Sequence, residues 1–133
     1  MNKEYEINEG EVVDYLRLTG QFKPALHEVL RRKVAVQVAQ EKGIKITPEE
    51  LQQAADNFRV CEELHEASET NRWLSETGIT LEALEEYLTA NLLINKLKDG
   101  LEKDIVNTQV LSSEPLRTVV RETAFHNFIE SRV

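Results

Sequence analysis

The sequence predicts an all-α fold of about six helices, on three observations. Apolar side chains recur every third or fourth residue through most of the chain, the period of a helix with one buried face. The 5 glycines and 3 prolines fall where helices would begin or end. Nothing longer than the run around Ile44-Lys45-Ile46 alternates in the manner of a strand.

Taken in order, residues 7–18 place Val12, Val13 and Leu16, with Tyr15 beside them, on one side of a short helix. Asn8 offers its side-chain oxygen to a free N–H of the first turn, and Thr19-Gly20 stops the helix. Pro24 sits at a first-turn position of a second helix, where its missing N–H costs nothing. Leu26, Leu30, Val34 and Val38 form its stripe, Val29 and Val36 widen it, and Gly43 ends it as a left-handed cap. Thr47-Pro48-Glu49-Glu50 is the clearest local signal, a capping box with proline at the first helical position. Leu51, Ala54, Ala55, Phe58 and Leu64 follow as that helix's apolar face. Ser68 or Thr70 begins a short helix bearing Trp73 and Leu74, closed by Gly78. Thr80 caps the next, where Leu81, Leu84, Leu88 and Leu92, then Leu93, Leu97 and Leu101, drift around the helix. Such drift implies a broad buried face or a succession of different neighbours. Gly100 marks either the end of that helix or a costly interior position. Residues 107–113 read as a polar linker, Ser113 as a cap, and Pro115 as the start of a last helix. Its stripe is Leu116, Val119, Val120, Ala124, Phe128 and Ile129. Residues 1–106 therefore read as one helical module, with 107–133 as a linker and C-terminal helix of the same domain.

The 133 residues carry 24 acidic and 16 basic side chains, a net charge of −8. That balance argues against nucleic acid as a partner, because duplex binding rests on neutralising phosphates. No apolar run approaches the roughly 20 residues that cross a bilayer, so membrane insertion is not expected. The N-terminus is polar and lacks an apolar signal core, and the one cysteine, Cys61, forms no internal disulfide. Together these place the expected location in the cytoplasm.

Chemistry-bearing motifs are few. Glu62 and His65 have the Glu-x-x-His spacing of di-iron bundles, but that chemistry needs a second such pair, and neither His27 nor His126 supplies it. A solvated acidic face is the better account, and no metal or cofactor is expected. Cys61 sits inside a predicted helix, where a lone cysteine is more often a small core residue than a nucleophile. No phosphate loop, nucleophile elbow or zinc-protease motif occurs, so no catalytic residue is assigned. Arg31-Arg32-Lys33 reads as a solvated face. The aromatic side chains are mostly core candidates, and Trp73, on a short polar helix, either plugs the core or sits at a binding surface.

The segment from Val36 to Leu51 (Val-Gln-Val-Ala-Gln-Glu-Lys-Gly-Ile-Lys-Ile-Thr-Pro-Glu-Glu-Leu) resembles a recurring stretch of SurA-type chaperones. In these a long helix ends at a glycine, a short Ile-x-Ile connection follows, and a capped helix begins. The stretch from Asn71 to Leu84, with its short helix, Gly78 and capped Leu-rich helix, resembles that family's next landmark. The resemblance implies the helical N-terminal module of SurA-like, parvulin-type peptidylprolyl isomerases, which binds unfolded or extended peptide while a separate parvulin domain isomerises it. Residues 107–133 are too few for a parvulin domain. In the family a C-terminal helix packs back onto the N-terminal module, a part the last helix here would play.

The expected function is therefore a non-catalytic, chaperone-like protein that binds unfolded or extended peptide segments. Rival readings are an isomerase-pathway or peptide-maturation component acting on its substrate, and an adaptor for one dedicated partner protein. Aromatic size nominates Phe22, Phe58, Trp73, Phe125 and Phe128 as peptide- or partner-binding residues. A homodimer, with the terminal helix exchanged between chains, is a further expectation.

Overall fold

The protein is described by a computed structural model covering residues 6–106 and 114–133. The described residues form six helices and no strand: α1 (Glu9–Leu18), α2 (Phe22–Glu41), α3 (Pro48–Cys61), α4 (Ala67–Thr77), α5 (Leu81–Val106) and α6 (Glu114–Glu130). The expected linker, including the Ser113 cap, lies outside the described residues.

Capping chemistry sets several boundaries where the sequence places them. Asn8 Oδ1 accepts from the Glu11 N–H at 2.9 Å and starts α1. Gly43, at φ +76°, lets the Ile44 N–H fold back to the Ala39 carbonyl at 3.0 Å and close α2. At α3 the Glu50 N–H donates to Thr47 Oγ1 while the Thr47 N–H donates to Glu50 Oε1, each at 3.1 Å. Thr80 Oγ1 accepts from the Ala83 N–H at 3.1 Å and starts α5. Thr47→Ala removes the box at its hinge and is expected to lower unfolding free energy by about 1 kcal/mol. An unchanged urea midpoint would mean that α3 does not depend on this cap.

α2 begins at Phe22, so Pro24 is its third residue, in the first turn as expected, where N–H groups have no helical acceptor. Two boundaries differ from the expectation, the end of α3 and the start of α4. α3 stops at Cys61, because Glu63 takes a left-handed backbone at φ 58° and the Leu64 N–H turns back to the Arg59 carbonyl at 2.7 Å. α4 starts at Ala67 after Glu66, which makes no side-chain cap, rather than at Ser68 or Thr70. Of the two readings of Gly100 the interior one holds, for α5 runs on to Val106.

The core is a three-helix seam. Ala35, Val38 and Ala39 of α2 meet Leu93, Ile94 and Leu97 of α5 and Ile129 of α6, with Val34, Ile44, Ile46, Leu101, Phe125 and Phe128 packed around them. Short side chains at Ala35 and Ala39, both fully buried, let the neighbouring helices approach closely. The drift of leucines along α5 has its cause here, for α5 packs against α2, α3 and α6 in turn. Leu64, Leu84 and Leu88 are buried outside this cluster.

The predicted stripes are only partly used. On α2 the burial begins at Ala35 and Val38, while Leu26, Val29 and Leu30 remain 57%, 50% and 45% exposed. α1 buries none of its residues. On α6 Ile129 is buried, yet Val119 faces solvent.

Candidate functional site

The five aromatic residues nominated from the sequence occupy three separate places. Phe22, half-buried, begins α2 beneath the Arg17 guanidinium, 4.6 Å from its ring centre. Phe58 of α3 and Trp73 of α4 meet edge to face, with centroids 5.3 Å apart and planes at 73°. Each is half-buried, so the pair ties two helices together and leaves part of both rings in contact with water. Phe125 and Phe128 pack on the core seam, and cations sheathe them: Lys98 lies 4.8 Å from the Phe125 ring centre and Arg132 3.8 Å from that of Phe128. The five do not form one binding surface.

A concavity of about 970 Å³ lies elsewhere, between α2 and α5. Its apolar lining comes from Val29, Val36, Leu51, Ala90 and the buried Leu93. One wall carries Arg32 and Lys33 from α2, the other Glu82, Glu85 and Glu86 from α5. Arg32 crosses the groove: its Nη2 donates to the Tyr87 carbonyl at 3.3 Å, and its guanidinium lies 4.9 Å from the Tyr87 ring centre. Half-exposed Tyr87 thus has one side held by Arg32 and the rest open to solvent. A smaller recess of about 390 Å³ between α3 and α5 is lined by Glu49, Glu50, Gln53, Ala54, Asn57 and Leu92. None of the five nominated aromatics lines either concavity. No motif marked the groove, since its alkyl, acidic and basic residues look like ordinary helix-face residues when read singly.

Ion pairs hold the walls. Lys96 Nζ of α5 donates to Glu50 Oε1 of α3 and to the Lys45 carbonyl, both at 2.8 Å. The Lys96 hydrogen bond, joined by the Thr47 N–H, holds the Glu50 carboxyl below the usual carboxylate range. Across α2 and α6, His27 Nε2 donates to Glu130 Oε1 at 3.1 Å and Arg31 Nε lies 3.0 Å from the same oxygen. The His27 hydrogen bond and the charges of His27, Arg31 and His126 lower Glu130 in the same way, against the opposing effect of burial. Because both carboxyls bind protons less tightly folded than unfolded, their stabilisation is present in full above the ordinary carboxylate range and is lost as pH falls from there through the lowered folded values. Urea midpoints should therefore drop on acidification, and the Glu50→Gln, Glu130→Gln double variant should show a shallower acid limb. An identical limb in that variant would refute the assignment.

The Glu62–His65 pair does not share a helix, because α3 ends before both. Among the described residues no three His, Cys, Asp or Glu side chains gather as a metal set. Cys61, the last residue of α3, is exposed rather than packed in the core. No described helix is long and apolar enough to cross a membrane. Compared with protein-family models, curated proteins and solved structures, the chain matches none of them.

Proposed function

We propose that the protein is a non-catalytic peptide binder of the chaperone kind, similar in role to SurA-type N-terminal modules, and that the α2–α5 groove is where the peptide lies. The observation that carries this reading is the groove itself. Its volume falls in the range of ligand sites. Its α2 wall runs from Val29 to Gln40, about 17 Å at helical rise, the length of about five extended residues. An apolar floor would hold side chains by burial, and walls of opposite charge would orient a guest that carries both signs. A parvulin active site is not needed for this role.

Binding can be measured by fluorescence anisotropy with labelled peptides cut from an unfolded model protein. Ala83→Trp places a bulky ring at an exposed groove position and is expected to weaken binding at least about tenfold, with the helical spectrum unchanged. Equal affinity in the variant, or no binding by the parent, would overturn the reading. Turnover of a proline peptide in an isomerisation assay would overturn its non-catalytic part.

A further inference from the structure

We infer that the α2–α5 groove selects extended segments that carry a basic side chain with apolar ones two and four residues away, the base lying against the α5 wall. The inference rests on the peptide-binding reading above and names the class of guest. The charged lining residues gather at one level of the groove. On α5 they are Glu82, Glu85 and Glu86, and the lining further along that helix, at Ala90 and Leu93, is uncharged. On α2 they are Arg32 and Lys33, followed by Val36 and Gln37. The hydrogen bond from Arg32 to the Tyr87 carbonyl sets the two charged stretches opposite each other.

Charge complementarity selects the occupant. Glu82, Glu85 and Glu86 stand three and four positions apart, so they share one face of α5 and repel one another. The helix N-terminus favours a carboxylate at Glu82, in the first turn, but that field fades before Glu85 and Glu86. No basic residue lies three or four positions to either side of that pair on α5. Among the described residues none of the three carboxylates makes an ion pair. Arg32 is committed to the carbonyl and ring of Tyr87, which leaves Lys33 as the one uncommitted cation of the lining against three carboxylates. A lysine or arginine of the guest supplies the partner that the chain does not, whereas an acidic segment meets this wall with like charge. The spacing follows from the helix. Buried Leu93 lies eight residues beyond Glu85, about 12 Å at helical rise. Extended peptide covers that length in about four residues, and its alternate side chains point the same way. A base beside Glu85 and Glu86 therefore puts the second and fourth side chains from it over the apolar floor.

Fluorescence anisotropy of the full chain with four labelled, end-capped peptides tests this. Two carry a lysine and two alternate leucines, in forward and reversed order, and two carry glutamate in place of the lysine. The better lysine peptide should bind at least about fivefold more tightly than its glutamate counterpart, and the gap should narrow as salt rises. Glu85→Gln with Glu86→Gln should close most of the gap, and Glu85→Lys with Glu86→Lys should invert it. Both positions are exposed, so each variant should keep the parent's helical spectrum. Equal binding of the lysine and glutamate forms, tighter binding of the glutamate form, or a gap untouched by the variants would overturn this inference and leave the peptide-binding reading standing. Failure of all four peptides to bind would overturn both.

Discussion

Leu97→Ala is expected to lower the unfolding free energy by about 2–5 kcal/mol, a large part of the roughly 5–15 kcal/mol that holds a domain of this size. Leu97 is 2% exposed and belongs to the cluster of Ala35, Val38, Ala39, Leu93, Ile94 and Ile129, where α2, α5 and α6 converge. Truncation there removes the transfer energy of the side chain and leaves a cavity that two fully buried alanines are too short to fill. Leu97→Met, which keeps volume, should cost less than about 1.5 kcal/mol. Chemical denaturation of the two variants reads the difference directly. A loss below about 1 kcal/mol for the alanine variant would show that the seam does not carry the fold.

What the sequence discloses of this fold is local. Thr47 and Glu50 contact each other three residues apart, and Asn8 and Thr80 act on backbone within their own first turns, so their roles follow from neighbouring residues alone. The end of α3 was hidden because Glu63, not a glycine, takes the left-handed turn, and no residue type there announces it. The faces that helices bury were half legible. Periodicity marks Leu26, Leu30, Val34 and Val38 as one stripe, but only the partners α5 and α6 decide that burial starts in its second half. The groove was not legible at all. It joins Arg32 on α2 to Tyr87 on α5, fifty-five residues apart, and is made by the gap between helices rather than by any residue's identity. Choosing site residues by aromatic size instead selected side chains that tie helices together, as Phe58 and Trp73 do, or that cations cover, as with Phe125 and Phe128.

Truncation after Leu111, which removes α6 whole, is expected to abolish cooperative unfolding of the remaining chain. A lone helix of seventeen residues is marginal in water, so α6 draws its order from what it packs against. Its Ile129 is fully buried in the seam, and Phe125 and Phe128 lie against the same cluster. Full burial of one such side chain stabilises by roughly 1.5–3 kcal/mol, and Ile129 with the half-buried Phe125 and Phe128 together supply a large share of the stability of a small domain. The ion pairs that clamp α6 go with it: Arg121 with Asp99 and Glu102, Lys98 with Glu122, and Arg31 with Glu130. These are partly exposed and contribute modestly, so the apolar loss dominates. Residues 1–111 would then present Ile94, Leu97 and Leu101 to solvent, an apolar strip on α5 that invites aggregation. Differential scanning calorimetry should find no sharp transition in the truncated chain, and a dye for exposed apolar surface should bind it and not the parent. Added α6 peptide should restore the transition, because the site it fills is a packed seam rather than a covalent requirement. A truncated chain that stays soluble and keeps the parent melting temperature would mean that α2 and α5 close the core without α6. The α6 helix would then be free to dock elsewhere.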